Sequence, residues 1–193
     1  MAKIAVFGGT FNPFHIGHYE ILSALCNDGR FDKVLLVPDR IPPHKAYSYD
    51  VPDNDRIEMC RIACEDFRKA ELSLIEFERA GKSYTVDTVK ALKKLYPGDE
   101  LFIACGGDMI KSLDTWYHFE KLKKEVAFIA FNRADDDCFN RDVERLRALG
   151  ARIIVSDKRI TDISSSKLRK NPDGRFFPEK VWEYVDRRGI YKK

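Results

Sequence analysis

The chain has 193 residues, 44% of them hydrophobic, a length and composition that suit one α/β domain with a real apolar core. Its 34 basic and 31 acidic side chains leave a net charge of only +3; this excludes the clustered basic excess of a general nucleic-acid binder but permits a local basic pocket for an anionic small molecule. Five scattered cysteines without a Cys-x-x-Cys, and no apolar run near the ~20 residues of a membrane span, point to reduced thiols in a cytoplasmic protein.

Ile4-Ala5-Val6-Phe7 is an all-apolar run stopped by Gly8-Gly9, the pattern of a buried parallel strand ending in a tight turn. Met1 leads directly into it, where a signal peptide would need its apolar stretch. From Gly17 to about Asn27, Ile21, Leu22 and Leu25 share one helical face, and Val34 to Val37 repeats the buried-strand pattern up to Pro38. The proline-rich stretch from Pro38 to Pro52 has no periodicity and reads as a mobile loop. A helix is expected from Asp55 to Ala70, with Ile57, Ile62, Ala63 and Phe67 on its core face and Cys60 and Cys64 as buried thiols. Alternation predicts a strand over residues 72–77, then a helix from Ser83 or Thr85 to Leu95, ended by Pro97-Gly98. Leu101 to Cys105 is a strand broken by Gly106-Gly107, Val126 to Phe131 the next strand, Arg141 to Leu149 a helix and Arg152 to Val155 the last strand. Two short helices close the chain, one after Ile163 and one from Pro178 to Arg187.

Nearly all-apolar strands alternating with helices predict a parallel sheet covered on both faces, with no internal repeat. Ligands of such sheets bind outside the carboxyl ends of the strands, so the loops after Phe7, Val37, Phe77, Cys105, Phe131 and Val155 are expected to share one crevice. The first of these loops runs Gly8-Gly9-Thr10-Phe11-Asn12-Pro13-Phe14-His15-Ile16-Gly17-His18. It is neither Gly-x-Gly-x-x-Gly nor a P-loop. It offers a glycine turn for close backbone approach, then two imidazoles on one side of a helix start, beside N–H groups that favour anions. Such paired donors suit a phosphate that gains charge during transfer; the alternative is two surface histidines near a turn. A second feature, Asp162-Ile163-Ser164-Ser165-Ser166-Lys167-Leu168-Arg169, places three serines at a helix start and an arginine fork three to five residues on. Alone it reads as a capped helix with a solvated arginine; with the histidine loop it reads as a phosphate site.

Together the two segments resemble the two signatures of the nucleotidyltransferase superfamily, and more closely the bacterial nicotinate-nucleotide adenylyltransferases. Pro-Pro-His-Lys at residues 42–45, Arg56, Met59, Ser83-Tyr84-Thr85-Val86-Asp87-Thr88, Gly106-Gly107-Asp108 with Trp116-Tyr117, Arg133 and Gly189-Ile190-Tyr191 extend the likeness over nearly the whole chain. The resemblance implies a Rossmann-like, doubly wound parallel sheet forming one nucleotidyltransferase domain over residues 1–193, with a C-terminal helical segment from about residue 163. It implies His15, His18 and Arg169 as catalytic groups, with His18 nearest the reacting phosphate. Gly8, Gly9, Thr10, Phe11, Gly106, Ser164, Ser165, Ser166 and Lys45 would hold ATP, and Asp108 would bond a ribose hydroxyl. Thr85, through its backbone, and Tyr84 would receive the pyridine carboxylate, with Trp116 stacking on the ring and Arg133 near the acceptor. Read from the residues alone, Trp116 also suits packing, Asp108 a helix cap and Lys45 a solvated loop. Arg133 departs from the family's Arg-Pro-Gly, being followed by Ala134-Asp135-Asp136-Asp137, an acidic run that reads as solvated.

The implied reaction carries the adenylyl group of ATP to nicotinate mononucleotide, forming deamido-NAD and pyrophosphate. The acceptor phosphate, with a second pKa of about 6, is already dianionic at neutral pH and needs no general base. Two polyanions brought together call for a divalent cation, Mg²⁺ held mainly by phosphates and water. The partners expected are these small molecules, without nucleic acid or membrane; a homo-oligomer is compatible with the sequence and not fixed by it. The rivals are an adenylyltransferase acting on nicotinamide mononucleotide, phosphopantetheine or a sugar or alcohol phosphate, and a nucleotide sensor without turnover. A class I aminoacyl-tRNA synthetase, which shares His-Ile-Gly-His, is set aside for want of room for an anticodon domain and of a Lys-Met-Ser-Lys-Ser loop.

Overall fold

The computed structural model describes residues 1–42, 51–133 and 137–191. Its strands are β1 (Lys3–Gly9), β2 (Lys33–Pro38), β3 (Ala70–Leu72), β4 (Glu100–Gly106), β5 (Ala127–Asn132) and β6 (Ile153–Arg159). Its helices are α1 (Ile16–Asn27), α2 (Asp53–Cys64), α3 (Thr85–Leu95), α4 (Gly107–Ser112), α5 (Phe119–Glu125), α6 (Asp137–Ala148), α7 (Ser165–Lys170) and α8 (Glu179–Arg188), with 3-10 turns at Leu113–Thr115 and Gly174–Phe176. The six strands pair in parallel in the order β3-β2-β1-β4-β5-β6. That is the doubly wound, Rossmann-like order expected, with its switch point between β1 and β4.

The period-2 geometry of the central strands divides their side chains between two cores. Ala5, Phe7, Val34, Leu36, Phe102, Ala104, Ile129 and Phe131 pack on one face with α1, α2 and α8. Ile4, Val6, Leu35, Val37, Leu101, Ile103, Cys105 and Phe128 pack on the other with α3, α5 and α6. Cys26, Cys60, Cys64 and Cys105 are buried in these cores and Cys138 is exposed. Burial pushes the Cys64 and Cys105 thiols up to about 12, so both remain protonated at neutral pH. Among the described residues no helix is long and apolar enough to cross a membrane.

The predicted strand over residues 72–77 lies elsewhere. Pairing with β2 occupies Ala70–Leu72 and ends with the Ser73 N–H donating to the Leu36 carbonyl at 2.9 Å. The chain then turns, carrying Ile75 into the second core and burying Glu76. Apolar and polar residues alternate here in sequence, which mimics a strand, but burial does not follow them: Leu74 is exposed and Ile75 and Glu76 are buried side by side. The helix expected over 55–70 is also shorter, running Asp53–Cys64, and the short α4 and α5 carried too little periodicity to be read beforehand. The stretch 43–50 of the proline-rich loop lies outside the described residues.

Candidate active site

The carboxyl end of β1 sets the first wall. Gly9 has no side chain because Phe11 needs the room: a Cβ there would sit 3.0 Å from the Phe11 ring. Phe11 adopts a φ of 47° and packs edge-on to Phe7 and to His18, with centroids 5.3 and 5.0 Å away. The loop that follows is held by distant side chains through its carbonyls. Arg56, fully buried, donates from Nη1 to the Thr10 carbonyl at 2.6 Å and from Nη2 to the Asp39 carbonyl at 2.9 Å and Asp53 Oδ1 at 2.7 Å. The Thr10 hydroxyl donates to Asp39 Oδ2 at 2.9 Å, so the ends of β1 and β2 are locked together.

His15 caps α1, and its backbone N–H donates to His18 Nδ1 at 3.3 Å. The two imidazoles stack with centroids 3.7 Å apart and planes 19° apart. The glycine of His-Ile-Gly-His has a steric cause. A Cβ on Gly17 would lie 3.1 Å from the Thr161 carbonyl and 3.3 Å from the His15 ring. His15 is 2% exposed, and burial, with the Arg133 guanidinium adding to it, pushes its pKa down to about 3. It is therefore a neutral imidazole at neutral pH, lying behind the half-buried His18.

The serine-arginine segment reaches the same loop from the far end of the chain. Ser164 caps α7 by accepting from the Lys167 N–H, and the Ser165 hydroxyl donates to the Pro13 carbonyl at 3.3 Å. Arg169 donates from Nη1 to the Asn12 carbonyl at 2.7 Å and from Nη2 to the Ser166 hydroxyl at 3.1 Å. The Tyr191 hydroxyl donates to Asn12 Oδ1 at 2.6 Å. Tyr191 arrives there because α8 ends on Gly189, at a φ of 66°, with Ile190 N–H bonded back to the Val185 carbonyl.

A cavity of about 490 Å³ opens outside the carboxyl ends of β1 and β4. Gly8, Gly9, Thr10, His18, Tyr84, Thr85, Gly106, Asp108, Trp116 and Arg133 line it, as the sequence led one to expect. Arg133 Nη1 pairs with Asp108 Oδ2 at 3.1 Å, and Gly106 leaves space for that guanidinium, whose Nη2 lies 3.8 Å from where a Cβ would stand. Tyr84 packs against Tyr117 with centroids 4.4 Å apart and ring planes tilted by 33°. Phe11, His15, Ser164, Ser165, Ser166 and Arg169 do not line this cavity; they stand behind or beside the loop that does. Lys45 and the acidic pair Asp135-Asp136 lie outside the described residues. Residues that the motifs did not single out also line the cavity, among them Asp39 and Glu76, and Thr88, named only as part of the Ser-Tyr-Thr-Val-Asp-Thr segment and given no role there, joins them. The signal available for them was position: Asp39 directly follows β2, Glu76 lies in the turn after β3 and Thr88 is in the first turn of α3.

Residues 6–171 match the family described as cytidylyltransferase-like. The chain is 35% identical to the nicotinate-nucleotide adenylyltransferase of Bacillus subtilis, all of each chain being covered. It is likewise 35% identical to a probable nicotinate-nucleotide adenylyltransferase of Listeria welshimeri, over 99% of this chain and 98% of that one. Among solved structures it is similar in fold to a Plasmodium falciparum nicotinic acid mononucleotide adenylyltransferase complexed with NaAD. The TM-score is 0.77 at 23% identity, over 99% of this chain and 98% of that one.

Proposed function

The chain belongs to the cytidylyltransferase-like family and, within it, to the nicotinate-nucleotide adenylyltransferases; from that premise we propose that it moves the adenylyl group of ATP onto nicotinate mononucleotide with the residues of the β1–β4 cavity. The observation that carries the assignment of residues is the joining of two remote motifs on one loop. Arg169 bonds the Asn12 carbonyl across 157 residues of sequence, on the loop that leads into the histidine pair, of which His18 lines the cavity wall.

In this reading the acceptor phosphate oxygen forms a bond to the α-phosphorus of ATP, and the bridge to the β-phosphate breaks as pyrophosphate leaves. The dianionic acceptor supplies its own electron pair, so the protein aligns two anions and answers the charge that develops. His18 is the side chain on the cavity wall that meets the reacting phosphates. His15, neutral and stacked on it, fixes its ring plane. Gly8, Gly9 and Thr10 let backbone approach the nucleotide, while Ser164, Ser165, Ser166 and Arg169 hold the triphosphate from the α7 side. Asp108 exchanges its Arg133 partner for a ribose hydroxyl, leaving Arg133 to face the acceptor. Thr85 and Tyr84 take the pyridine carboxylate, and Trp116 covers the ring.

Mg²⁺ would neutralise phosphate charge. The cavity's carboxylates fit an ion carried by the substrate, because Asp39 is engaged by Thr10 and Arg56, Glu76 by Thr88 and Asp108 by Arg133. Phosphate oxygens and water would supply its ligands. A cytoplasmic setting, where ATP is available, belongs to the same proposal.

The test is pyrophosphate release with ATP, Mg²⁺ and either nicotinate or nicotinamide mononucleotide. Turnover is expected with the acid, and its absence with every acceptor despite tight ATP binding would point to a sensor instead. His18→Ala should lower kcat by about 10²–10³-fold while calorimetry shows ATP affinity little changed; equal losses in both would remove His18 from the reacting phosphate.

A further inference from the structure

The Gly189-Ile190-Tyr191 segment after α8 reaches the histidine loop, yet the reaction as proposed gives it no task. α8 ends on Gly189, and the Ile190 N–H returns to the Val185 carbonyl at 3.1 Å. Tyr191 then takes a φ of 66°, a left-handed conformation that costs a residue with a Cβ. Its hydroxyl donates to Asn12 Oδ1 at 2.6 Å, on a residue only 4% exposed. Packing alone does not ask for this. The Tyr191 ring lies against the first core, and a phenylalanine would fill the same place with no hydroxyl to satisfy. A strained backbone that delivers one polar atom to a loop beside the cavity points to a task on that loop.

Asn12 stands between Phe11 and Phe14, which are 1% and 0% exposed. Both rings pack against His18, with centroids 5.0 and 5.5 Å from its imidazole. Together with the stacked His15 they form the surface on which the His18 ring rests. Asn12-Pro13 links the two phenylalanines, so the contacts that hold this link also set where that surface stands. The Asn12 and Pro13 carbonyls accept from Arg169 and Ser165, both of which the proposed reaction also commits to the triphosphate. Tyr191 grips the Asn12 side chain instead, and no substrate contact is assigned to it.

We propose that Tyr191 is a positioning residue, whose hydroxyl holds Asn12 so that Phe11 and Phe14 keep the His18 ring aimed at the reacting phosphate while Arg169 and Ser165 serve ATP. This rests on the role given to His18 above. The test measures kcat, both KM values and melting temperature in the full chain and in Tyr191→Phe, Asn12→Ala, His18→Ala and the double variant Tyr191→Phe with His18→Ala. Tyr191→Phe should lower kcat about tenfold, the equivalent of one hydrogen bond. Both KM values should stay unchanged, because Thr10 remains held by Arg56 and Asp39. Asn12→Ala removes the acceptor, serves if Tyr191→Phe does not fold, and should have the same effect. With His18 already replaced, Tyr191→Phe should lower kcat no further. A mere loss of folded protein would lower kcat by the same factor in both backgrounds, so equal losses with and without His18 overturn the positioning role. An unchanged kcat in Tyr191→Phe, or a rise in either KM, overturns it while the His18 assignment stands. An unaltered kcat in His18→Ala overturns both.

Discussion

The two ends of the cavity are held in different ways. At the β1 end, the carbonyls of Thr10, Asn12 and Pro13 each accept a hydrogen bond from a side chain remote in sequence, namely Arg56, Arg169 and Ser165. At the mouth by α4, the polar link is the Asp108–Arg133 pair, whose aspartate side chain is 84% exposed, beside a Tyr117 that is 49% exposed. Buried hydrogen-bonded charges define a geometry at the cost of desolvation, whereas exposed pairs contribute little and exchange partners readily. The first end therefore suits the reacting phosphates, where preorganised donors matter, and the second suits substrates that must enter and leave.

Removing Arg56 tests the contrast most severely. Arg56→Ala strands the Thr10 and Asp39 carbonyls and leaves Asp53 without this partner. It should cost about 3–5 kcal/mol in denaturant unfolding; a loss like that of a surface residue would mean the β1 end is not stapled. His15 gives an intermediate effect with a defined sign. Its folded pKa of about 3 lies below the ordinary 6.5, so between those values the unfolded chain binds the extra proton. Stability should then fall as pH drops from 6.5 toward 3. In melting curves taken across that window, His15→Gln should flatten the slope; an unchanged slope would mean that His15 is not the buried neutral group. The smallest stability effect is expected at the mouth. Asp108→Asn should change unfolding free energy by less than about 1 kcal/mol while raising the ATP KM, and a large loss of stability there would erase the difference between the two ends.

Much of this site could be read from the chain. The strand from Ile4 to Phe7, its glycine turn, the histidine pair and the serine-capped α7 each announce themselves within a dozen residues, because turn chemistry, capping and periodicity are local. Glu76 was hidden inside an alternating run that mimics a strand, and Thr88, though part of the Ser-Tyr-Thr-Val-Asp-Thr segment, carried no sign that its side chain would face the cavity. Arg56 sat among the charged residues of α2, and nothing in its neighbours foretold complete burial.

The sequence by itself determined the alternation of buried strands with helices, and therefore a covered parallel sheet with its ligand crevice at the carboxyl ends. Tertiary structure alone decided which side chains face that crevice and which stand behind it. Asn12 meets Arg169 and Tyr191 across 157 and 179 residues, and those meetings follow from how α7, through Leu168, and α8, through Val181 and Val185, pack into the first core. Local patterns fix elements because they report on neighbours along the backbone, while burial depth and long-range partners are set only once the elements have docked.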